Sequence, residues 1–171
     1  GAINAITSIE AYKGKLYVTV NGTLYKPDPR LFVFDIPKLK TDPTHALIGK
    51  LTTATNTATY GMYAVQVAEG PSGRRYAYVA NDYPANWASC AAYYNCAQIS
   101  IVDVTDPANM ALGSSTYYKL PNVNGALNSG GAGTALFYKD GLLYLGLSKT
   151  LSGPEFAVVD VHDPKSPLWL G

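Results

Sequence analysis

Hydrophobic and polar positions alternate in short runs along the chain, and three of these runs share one phrase. They are Leu31-Phe32-Val33-Phe34-Asp35-Ile36, Ile99-Ser100-Ile101-Val102-Asp103-Val104 and Phe156-Ala157-Val158-Val159-Asp160-Val161. Around each aspartate both alternating faces are mostly apolar, the pattern of a strand buried from two sides. A sheet covered on both faces needs neighbours. Each phrase has an upstream companion: Gly14-Lys15-Leu16-Tyr17, Gly73-Arg74-Arg75-Tyr76 and Gly141-Leu142-Leu143-Tyr144 each set a glycine three residues before a tyrosine, opening a second strand after a tight turn. From Asp35 to Gly73 is 38 residues, and from Asp103 to Gly141 is again 38. From each glycine to the following aspartate the intervals are 21, 30 and 19. One constant interval and one loose one describe a structural repeat with a single variable hairpin loop.

Read in order, the alternation predicts four strands per repeat. The first unit holds strands over 5–11, 15–20, 31–36 and 46–52; the second over 62–68, 75–80, 98–105 and 111–119; the third over 134–138, 142–148, 155–162 and 168–170. The expected class is all-β, three four-stranded antiparallel sheets forming one region over 1–171, with units of about 1–55, 56–125 and 126–171.

An Asp-Pro pair separates the third and fourth strands of each unit: Asp42-Pro43, Asp106-Pro107 and Asp163-Pro164. Aspartate accepts a hydrogen bond from backbone two residues on, and proline presets φ, so the pair is a turn device. Asp35, Asp103 and Asp160 stand where a buried carboxylate would tie down turn N–H groups. A metal site is the competing reading of these carboxylates. Their one-per-repeat spacing keeps them apart and speaks for the structural role.

The stretches from Ile99 through Thr105-Asp106-Pro107, and from Phe156 through His162-Asp163-Pro164-Lys165-Ser166-Pro167-Leu168, resemble the LVIVD repeat of bacterial and archaeal surface proteins. That repeat has an apolar run ending Val-Asp-Val, a polar residue, a proline turn and a last strand closing on glycine, as at Gly113 and Gly171. The first unit keeps the strand but inserts Pro37-Lys38-Leu39-Lys40 before its Asp-Pro. The resemblance spans all three units. It implies four-stranded β-propeller blades in secreted or surface-anchored proteins, without a known enzyme activity of the repeat itself. Closed propellers normally carry four to eight blades, so three leave two sheet faces bare. Either these residues belong to a longer propeller, the preferred reading because neither end looks like a capping repeat, or copies associate and cover each other's ends.

Composition narrows the surroundings. With 47% apolar and 15% charged residues the chain can build a core. A net charge of +1, with no basic run longer than Arg74-Arg75, lacks the field that gathers nucleic acid or anionic lipid. Fourteen tyrosines, sixteen glycines and eleven prolines suit an all-β chain with an extracellular or cell-surface style of exterior. No apolar stretch approaches the ~20 residues of a membrane span, and no charged-then-apolar leader precedes Ala2.

Candidate chemistry falls on the variable hairpins, which share one rim in an up-and-down unit. The first, 21–30, contains Tyr25 and Arg30, and its Asn21-Gly22-Thr23 fits both a glycosylation acceptor and a plain turn. The second, 81–97, carries Tyr83, Trp87, Tyr93 and Tyr94. Such rings suit carbohydrate or protein contacts, or else fold over the sheet edge as a lid. Cys90 and Cys96, the only cysteines, lie in the same loop and are expected to form a disulfide, since a metal pair would want two more ligands and neither His45 nor His162 is near in sequence. Gly130-Gly131-Ala132-Gly133 lacks the lysine and helix of a phosphate loop and reads as a close backbone approach. No nucleophile motif is present and no cofactor is called for. The expected function is a non-catalytic surface scaffold or adhesion module binding protein or glycan through its rim loops. A subunit of a surface appendage, self-associating through exposed sheet edges, is a variant. The competing class is an extracellular hydrolase or lyase with an axial site.

Overall fold

A computed structural model describes residues 5–21, 29–52, 62–81, 97–110, 116–118, 120, 133–147 and 154–171. Twelve described strands form three separate four-stranded sheets. The first contains β1 (Ile6–Tyr12), β2 (Lys15–Val20), β3 (Pro29–Asp35) and β4 (Leu47–Thr52); the second β5 (Met62–Glu69), β6 (Arg75–Asn81), β7 (Ile99–Asp103) and β8 (Thr116–Tyr118); the third β9 (Gly133–Lys139), β10 (Leu142–Leu147), β11 (Phe156–Asp160) and β12 (Leu168–Trp169). Each sheet is an antiparallel meander in chain order.

The glycines that open the second strands do so through left-handed backbone. Lys13 and Gly14 have φ of 45° and 75°, and Asp140 and Gly141 have 48° and 79°, two consecutive positive angles that match the twist of a two-residue hairpin. Gly73, at φ 73°, closes the longer turn from Gly70.

Three departures from the sequence reading have local causes. The inserted Pro37-Lys38-Leu39-Lys40 builds a short helix, α1 (Ile36–Thr41), because Asp35 caps it by accepting from Lys38 N at 3.0 Å and Pro37 supplies a preset φ in its first turn. The middle phrase leaves the sheet at Asp103 instead of Thr105, since the Asp103 side chain takes the Thr105 N–H into a turn. Two-sided burial holds for the middle phrase alone, because only the second sheet has a sheet on either side.

The sheets stack in chain order with a fixed polarity. The front of each, meaning the face carrying the tyrosine of the glycine-tyrosine motif, meets the back of the next. Tyr17, Leu31, Val33 and Leu51 of the first sheet pack on Val65, Val67, Ala77, Val79 and Val102 of the second. Tyr76, Tyr78, Ile99 and Ile101 of the second pack on Leu143, Leu145, Ala157 and Val159 of the third. Full burial of each valine, leucine or isoleucine among them contributes roughly 1.5–3 kcal/mol. The first strands of the three sheets lie side by side, β1 against β5 and β5 against β9. Gln66 on β5 joins all three: its Nε2 donates to Glu10 Oε2 on β1 (3.2 Å), and its Oε1 accepts from Tyr138 N on β9 (3.3 Å).

Candidate functional site

The meanders give the stack two unlike ends. At one end lie the turns β1–β2, β5–β6 and β9–β10 and the Asp-Pro connections. Here Asp103 Oδ1 accepts from Thr105 N at 3.0 Å and Asp160 Oδ1 from His162 N at 2.9 Å, repeating in shorter form the cap made by Asp35. All three aspartates are half-buried rather than enclosed. The Asp-Pro aspartates add a second layer: Asp106 Oδ1 accepts from Ala108 N at 3.1 Å and Asp163 Oδ1 from Lys165 N at 2.9 Å. The prolines also link sheets. A Cβ on Gly49 would come within 2.1 Å of the Pro107 carbonyl oxygen, and one on Gly70 within 3.4 Å of Pro164 Cγ.

Charge at this end is local. The Asp42 carboxyl is held below its ordinary range by hydrogen bonds from Thr44 and then His45, and that of Asp160 by the His162 N–H and ring. Arg74 Nε pairs with Asp103 Oδ2 at 2.9 Å, and Lys13 Nζ with Glu69 Oε1 at 2.5 Å. Among the described residues no three histidine, cysteine or acidic side chains gather as a metal-holding group.

The opposite end receives the ends of β2, β4, β6, β8 and β10, and so every variable hairpin and every connection from sheet to sheet. Among the described residues the buried polar or charged side chains are Thr19, Arg30, Gln98 and Ser100, and each lies within two residues of a strand terminus at this end. Gln98 Oε1 accepts from Leu120 N at 3.0 Å. Asn81 Nδ2 donates to the Ala97 carbonyl (2.9 Å) and to Ser100 Oγ (2.8 Å), closing the base of the second hairpin. In the first sheet the Thr7 hydroxyl meets Thr19 Oγ1 at 3.1 Å and the Met62 carbonyl of the second. Gly133 opens β9 in a tight place, where a Cβ would stand 3.0 Å from both Ala80 Cβ and the Gln98 carbonyl oxygen. Side-chain amides and hydroxyls bonded in this way hold the strand ends to the backbone that flanks them.

Of the residues singled out for binding, Arg30 is fully buried at the start of β3. Asn21 is half-buried just beyond β2, and its N–H donates to the Ala5 carbonyl at 2.8 Å. Tyr25, Tyr83, Trp87, Tyr93, Tyr94, Cys90 and Cys96 lie outside the described residues. Gln66 and Glu10 went unnoticed in the sequence because a lone amide facing a lone carboxylate 56 residues away has no local signature. Burial raises the Glu10 pKa against the lowering effect of the Gln66 hydrogen bond.

No protein-family model matches the chain, and comparison with curated proteins and with solved structures likewise finds no match. Among the described residues no helix is long and apolar enough to cross a membrane.

Proposed function

We propose that the three sheets are β-propeller blades of the LVIVD type and that the chain is a non-catalytic extracellular or cell-surface scaffold, binding protein or glycan through loops at one end. One observation carries this reading. Short turns capped by carboxylates close one end, whereas all the long connections leave the other from strand ends braced by buried polar side chains. A rigid base with variable loops on one rim is how repeat folds present binding surfaces. The side-by-side first strands joined by Gln66 support blades arranged about a common axis.

The aromatic hairpin, pinned by a Cys90–Cys96 disulfide, is the proposed contact surface. Glycan and peptide arrays probed with the native chain and with Tyr83→Ala, Trp87→Ala, Tyr93→Ala and Tyr94→Ala test it. Binding that falls in these variants is expected, and binding unchanged in all four overturns the loop assignment. Intact mass before and after reduction and alkylation tests the disulfide, and native free thiols contradict it.

The enzyme reading draws on Glu10, a carboxyl among the first strands whose pKa is raised by burial. Turnover of a polysaccharide or peptide that is abolished by Glu10→Gln would establish it in place of the scaffold.

A further inference from the structure

We draw no further inference here: the strongest candidate, the apolar groove of about 360 Å³ on the back of the first sheet, lined by Ile9, Val18, Phe32, Phe34 and Leu39 of α1 among others, carries nothing because nothing in the structure shows what covers it.

Discussion

The middle sheet and the two outer sheets carry the same phrase in different surroundings. In β7 residues 99–102 are all buried, whereas in β11 only Ala157 and Val159 are buried and Phe156 lies open. The chain therefore writes two-sided burial into each repeat, and the stack supplies it once.

The largest test of the contrast is truncation of matched positions. Ile101→Ala in the middle sheet should cost about 2–5 kcal/mol in urea unfolding, since the side chain is 1% exposed and leaves a cavity. Val158→Ala, at the same repeat position in the third sheet, should cost less than half of that, because the side chain is only half-buried. Equal losses would erase the distinction between the sheets.

Next comes Gly49→Ala. Its Cβ would meet the Pro107 carbonyl at 2.1 Å, so the first and second sheets must separate locally, at about 1–3 kcal/mol. Gly14→Ala meets nothing within 4 Å and differs in kind, being strained only through its φ of 75°. A Gly49→Ala chain with native stability would contradict the close approach.

Smaller is the effect of Asp103→Ala, which frees the Thr105 N–H and breaks the Arg74 pairing. Thermal melts should register a loss of about 1 kcal/mol. Asp103→Asn should recover part of it, because an amide oxygen still accepts from Thr105.

The smallest effect is pH-linked. Asp160 has its pKa lowered in the fold by the His162 N–H and ring, so its ionised form stabilises the native state above the ordinary aspartate value of 3.8. That contribution is lost as pH falls through the lower folded value. Melting curves from pH 6 to about pH 2 should therefore converge for the native chain and Asp160→Ala at the acid end. A gap that widens with acid would reverse the sign. Glu10 runs the other way: burial raises its pKa, so Glu10→Gln should stabilise at neutral pH and lose that advantage below 4.5.

Much of the fold was legible because the repeat is read against itself. The glycine-tyrosine and Val-Asp landmarks locate β2, β3, β6, β7, β10 and β11 to within two residues, and the Asp-Pro pairs mark the turns after them. Helix α1 was hidden inside a four-residue insertion, although Asp35 followed by Pro37 is a helix-start signal. The burial of Arg30 was illegible, because a cation at the mouth of a loop ordinarily faces water. The Gln66 bridge was equally so, since it depends on where two other sheets come to lie. The aromatic hairpin, the part of the site most visible in sequence, is the part that solution binding must test.

Amide hydrogen exchange on the native chain tests the stacking of the three sheets most directly. Strands enclosed on both faces open only with the whole fold, so β6 and β7 should exchange slowest and β12 among the fastest. If β6 and β7 exchange as fast as the outer sheets, the middle sheet is not enclosed and the account is wrong.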